Sequence, residues 1–73
     1  MGKNQHVVKH YDGWAVKGER NNKATVVTKT QVEAIEVARE IAKNQHSELL
    51  IHGKNGQIRT RDSYGNDPFP PIN

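Results

Sequence analysis

Cysteine is absent from this chain of 73 residues. That excludes a disulfide staple and a zinc–thiolate site. Secreted domains of this size usually carry staples, so the absence favours a reducing compartment, and the expected location is the cytoplasm. Aromatic side chains are scarce: Trp14, Tyr11, Tyr64 and Phe69 are the complete set. With apolar residues at 33% the core must be small, and there is little material to line a deep ligand cavity. No apolar run approaches the roughly 20 residues needed to span a bilayer. The opening Met1-Gly2-Lys3-Asn4-Gln5 has no apolar stretch of a secretory signal. Neither a membrane nor an export route is therefore expected. Three prolines are present, Pro68, Pro70 and Pro71, and they mark the end of the chain as extended or polyproline-like rather than a central strand.

What is there is a short chain with a modest basic excess. Its length is that of one domain, and a domain so small buries only about 60% of its unfolded-state surface, so association with another copy would stabilise it. The net charge of +3 is uneven. Residues 1–29 carry Lys3, Lys9, Lys17, Arg20, Lys23 and Lys29 against Asp12 and Glu19, whereas residues 30–47 are slightly acidic and residues 48–73 are balanced. Such an excess is compatible with nucleic acid but also with the lysines that keep sheet edges soluble and unpaired.

The pattern along the chain reads β-β-β-α-β-β. His6–Tyr11 and Trp14–Lys17 alternate as strands, and Asp12-Gly13 between them signals a tight hairpin turn of type I′. After a polar turn over residues 18–23, Ala24–Thr28 is rich in β-branched residues. Thr30-Gln31-Val32-Glu33 fits a capping box that opens a helix over residues 30–45. Ala34, Val37, Ala38, Ile41 and Ala42 fall on one helical stripe, opposite Glu33, Glu36, Arg39, Glu40 and Lys43. Asn44, Gln45 and His46 carry the stop. Glu48–His52 is a fourth strand, Asn55-Gly56 a second turn signal, and Gln57–Asp62 a fifth strand, in which Ile58 and Thr60 alternate with Gln57, Arg59 and Arg61. The expected fold is α+β, a mostly antiparallel sheet with one helix on one face. The expected division is a flexible start over residues 1–5, a domain over 6–67 and a Pro-rich tail over 68–73. One helix covers one sheet face, so the opposite face is the expected place for binding or dimerisation.

Several segments together resemble a bacterial family of domains of unknown function, the family numbered 2188. They are His6-Val7-Val8, Asp12 to Lys17, Thr30-Gln31, Glu33-Ala34-Ile35, Ala38 to Ala42, Asn44-Gln45, Ser47-Glu48-Leu49, Ile51-His52-Gly53 and Arg61 to Pro68. The resemblance runs from about His6 to Pro71. Two positions depart from the family's usual pattern: Lys9 stands where proline is frequent, and His46 where glycine is frequent. The resemblance implies a bacterial origin and supports the architecture. It carries over no activity, cofactor or catalytic residue.

Candidate chemistry is sparse. His6 and His10 share a strand face, but four residues of strand separate them by roughly 13 Å, too far for one ion, and metal sites need three or four convergent ligands. His6 and His52 are expected to hydrogen-bond neighbouring strands or line the sheet. No metal, no cofactor and no catalytic residue is therefore expected. A nucleophile beside a base is not visible, and Asp62 and Asp67 are placed to hold a turn. Arg59, Arg61 and Tyr64, extended by Lys9 and Lys17, form the candidate surface for a partner or for nucleic acid, since alternating arginines can meet phosphates while a ring stacks on a base. The leading expectation is a non-enzymatic interaction module whose partner is another protein or a second copy of itself. A nucleic-acid-binding domain is the alternative.

Overall fold

The computed structural model describes residues 3–64 of the chain. The order is β1 (Gln5–His10), β2 (Gly13–Gly18), β3 (Val26–Thr28), α1 (Gln31–Gln45), β4 (Glu48–His52) and β5 (Ile58–Ser63). The expected α+β order is present in full. The five strands make one sheet in the order β3-β2-β1-β4-β5. Three of its pairings are antiparallel, while β1 and β4 run parallel. That parallel pair needs a crossover, and β2, β3 and α1 together supply it. The helix lies against β1, β2, β3 and β4. The Pro-rich tail at 68–73, together with Asp67, lies outside the described residues.

The first hairpin differs from the Asp12-Gly13 expectation. His10 pairs with Gly13, so the two turn residues are Tyr11 and Asp12, and Gly13 opens β2. Of these, Tyr11 takes the positive φ, at 44°. Gly13 is required for another reason. A Cβ placed on it would lie 2.1 Å from the carbonyl oxygen of Thr28, so β3 closes against bare backbone there. β3 keeps three of the five expected residues, because Ala24 and Thr25 lie outside its ladder. At the other end Lys3 and Asn4 are tied in. The Lys3 amide donates to Gln45 Oε1 (2.9 Å), and Asn4 Oδ1 accepts from the Glu48 amide (2.9 Å).

The helix forms as its sequence dictates. Thr30 Oγ1 accepts from the Glu33 amide (3.2 Å), and Glu33 Oε1 reaches back to the Thr30 amide (3.4 Å). At the far end His46 adopts the left-handed conformation, φ 54°, and the Ser47 amide donates to the Ala42 carbonyl (2.9 Å). Ala34, Ala38 and Ala42 are fully buried on one face of α1. They meet Val7, Trp14, Val16, Leu49 and Ile51 from the sheet, while Val37, Ile35 and Ile41 are partly buried around them. Trp14 is buried, as its size requires in a core this small. Among the described residues no helix is long and apolar enough to cross a membrane.

Candidate binding face

Alternation along each strand sends Val7, Trp14, Val16, Leu49 and Ile51 toward the helix, so the residues between them face away from it. Register then organises that second face into rows. Val27 on β3 lies opposite Ala15 on β2, and Ala15 opposite Val8 on β1. Val8 and His52 each follow the Val7–Ile51 pair, and His52 lies opposite Ile58 on β5. One row across the sheet is therefore Val27, Ala15, Val8, His52 and Ile58. The next is Lys17, His6, Leu50 and Arg61. Ala15 and Leu50 are buried by their neighbours, whereas Val27 and Ile58 are about half exposed, at 53% and 50%. A row that is apolar except for His52 thus runs beside one that ends in a cation on either side.

The structure divides the five candidate residues between different places. Lys17 and Arg61 share the helix-free face, at opposite ends of one row. Arg61 Nε stands 3.8 Å from Glu48 Oε1. Lys9 lies on the helix side, opposite Trp14. Its ammonium caps the Tyr11 and Gly13 carbonyls and sits 5.8 Å from the Trp14 ring centroid. Arg59 reaches the start of the helix, where its Nη1 donates to Gln31 Oε1 (3.3 Å). Tyr64 packs against the core from the helix side, with Lys43 Nζ 5.9 Å from its ring centroid. All five retain solvent access, but Arg59, Arg61, Lys9 and Lys17 do not form one continuous face.

The parity expected along β5 is corrected for a physical reason. Ile51 pairs with Thr60 but His52 pairs with Ile58, so Arg59 is an extra residue on β5. A bulge of this kind shifts the alternation by one position. Ile58 and Arg61 therefore share the helix-free face, and Arg59 is released toward α1.

The feature that sequence reasoning missed is the meeting of His6 and His52. His6 Nδ1 lies 3.0 Å from His52 Nε2, across the parallel β1–β4 junction. His6 Nε2 lies 3.4 Å from Glu19 Oε1, just beyond the end of β2. His52 Nδ1 lies 3.3 Å from the Gly56 carbonyl oxygen in the β4–β5 turn. The hydrogen bonds from His6 and from Asn4 hold the Glu19 carboxyl below its ordinary range. Residues 46 apart in sequence meet here because β1 and β4 are neighbours, and alternation within either strand carries no sign of that. Among the described residues no group of three or more His, Cys, Asp or Glu side chains converges on a common point.

No solved structure gives a significant match to this chain. The chain is 38% identical over 65 residues to the uncharacterized protein YdaT of Bacillus subtilis (strain 168), an alignment that covers 89% of this chain. It spans 43% of that relative, less than half its length. A family model described as an uncharacterized protein conserved in bacteria matches residues 5–64, nearly all of the described fold. The chain therefore belongs to that bacterial family, DUF2188.

Proposed function

We propose that this chain is a small, non-enzymatic interaction module of the bacterial cytoplasm, which binds a protein partner or a second copy of itself through the helix-free sheet face. The observation that carries this reading is the row Val27, Ala15, Val8, His52 and Ile58. It crosses all five strands with no helix over it among the described residues, and its two ends are half-exposed apolar side chains. Apolar side chains ringed by charge are the usual make-up of a protein interface. The relative more than twice as long adds support, since a domain carried within a longer chain is a common setting for such a module.

The test is paired. Sedimentation of the chain over a range of concentrations reports self-association, and immobilised chain in bacterial lysate reports a partner. Val27→Asp with Ile58→Asp should abolish whichever complex forms, and moderate salt should leave the wild-type complex intact. A complex untouched by the double variant would place the interface elsewhere. Binding to labelled duplex or single strand that weakens steeply with salt, through release of counterions, would replace this reading with nucleic-acid binding. Loss of that binding in an Arg61→Ala, Lys17→Ala variant would locate it on the same face.

A further inference from the structure

We propose that His6 and His52 form a two-imidazole surface site for a divalent transition-metal ion of the zinc, nickel or copper class. Three contacts run in line: Glu19 carboxylate to His6 Nε2, His6 Nδ1 to His52 Nε2, and His52 Nδ1 to the Gly56 carbonyl. Each contact needs one hydrogen, and two neutral imidazoles carry one hydrogen each. The carboxylate and the carbonyl are both acceptors, so the tautomers that satisfy both have each outer ring nitrogen donating. That uses both hydrogens and leaves two lone pairs facing each other 3.0 Å apart. A cation between them turns this repulsion into attraction.

The spacing of the two nitrogens suits a metal ion as well as a proton. Zinc–imidazole bonds are about 2.0–2.1 Å long, and two such bonds opened by a right or tetrahedral angle hold their nitrogens about 2.9–3.4 Å apart. With the ring centroids 5.2 Å apart, the two nitrogens point almost straight at one another, so each ring turns by roughly 40° to aim its lone pair at the ion. The outer contacts are those of a metal-binding histidine, whose second nitrogen donates to a carboxylate or a backbone carbonyl that fixes ring and tautomer. Here each ring has one of the two. The charged groups around the pair are Glu19 beyond β2, Lys17 on β2, Glu48 on β4 and Arg61 on β5, with Arg61 already facing Glu48. With two protein ligands, the remaining positions on the ion belong to water or to a donor from whatever covers this face. The site is thus a surface chelate and not a structural centre. It is independent of the interface proposed above, because it needs only the isolated chain.

The experiment is calorimetric titration of the full, tag-free chain with zinc chloride, at concentrations where sedimentation shows a monomer. Long-range ¹H–¹⁵N spectra of the imidazoles follow the same titration. The expected result is one ion per chain, with His6 Nδ1 and His52 Nε2 as the shifted nitrogens. His6→Gln and His52→Gln should each abolish binding. Glu19→Gln, which keeps both ligands, should weaken it about tenfold, the low end of what loss of such a supporting acceptor costs. His10→Gln and His46→Gly should bind as the wild type does. Absence of binding, binding that survives His52→Gln in a chain with native circular dichroism, or unchanged affinity in Glu19→Gln together with shifts at other histidines would overturn the site. Zinc binding to a chain that never associates would leave this site standing while the interface reading failed.

Discussion

Tyr11 and Gly13 show how two neighbouring residues divide the work of one hairpin. Tyr11 holds a positive φ that a non-glycine residue seldom adopts, with its ring in solvent at 89% exposure. Gly13 has no unusual φ, yet it cannot carry a side chain, because Thr28 O occupies the space. Gly13→Ala should therefore cost about 2 kcal/mol or more by forcing β3 off β2, a large value for one methyl group. Urea unfolding followed by Trp14 fluorescence would measure it, and a loss of a few tenths would show that β3 yields freely. Glu19 supplies a prediction in pH. Its folded carboxyl titrates below the ordinary value because His6, then Asn4, hydrogen-bonds it. A depressed carboxyl contributes stability above its unfolded value and loses it as pH falls through the folded value. Acid unfolding of Glu19→Gln should lack that increment, so wild type and variant should converge in stability below the glutamate range. Curves that stay parallel at every pH would assign the interaction no role in folding.

At the scale of elements, what the sequence displays depends on whether the determining interaction is local. The helix is fully legible. Its capping box, its alanine stripe and its stop all lie within 17 residues, and each occurs where expected. The strands are legible as strands, since alternation is also local. Their neighbours are not, because the partner of β1 on its second side is 44 residues away in register and runs parallel. The bulge at Arg59 was equally hidden. It arises from the mismatch between β4 and β5, and shifting one residue moved Ile58 onto the face assigned to arginines. The candidate surface is the least legible part, since strand parity and nearness in sequence are all that join Lys9, Lys17, Arg59, Arg61 and Tyr64. The helix end offers its own prediction. His46 closes α1 in the left-handed conformation with an exposed side chain. An L-residue is strained there by about 1–2 kcal/mol, which glycine avoids while gaining some unfolded-state entropy. His46→Gly should thus stabilise the chain by about 0.5–1 kcal/mol, read as a higher urea midpoint with an unchanged slope.

At the scale of the whole molecule, the core is thin because α1 contributes little more than methyl groups to its centre. Ala34, Ala38 and Ala42 bring the helix backbone close to the sheet, and the larger volume comes from the strands: Leu49, Val7 and Val16 are the largest fully buried side chains. The helix's own larger residues, Val37 and Ile41, stand at the edge of that contact with part of their surface in water. This distribution separates two substitutions that would look alike on the helical stripe. Leu49→Ala removes a side chain with no exposure and leaves a cavity between sheet and helix, at a cost of about 2–5 kcal/mol. For a domain of this size that is a large part of a total on the order of 4–11 kcal/mol. Ile41→Ala removes a side chain that solvent already reaches and whose place water can refill, so about 1–2 kcal/mol is expected, below the range for a fully buried site. Denaturation midpoints of the two variants, compared at constant slope, decide the matter. If Ile41→Ala proves as costly as Leu49→Ala, something beyond the sheet covers Ile41, and the edge of the helix rather than the strand interior would be where this small fold is most easily broken.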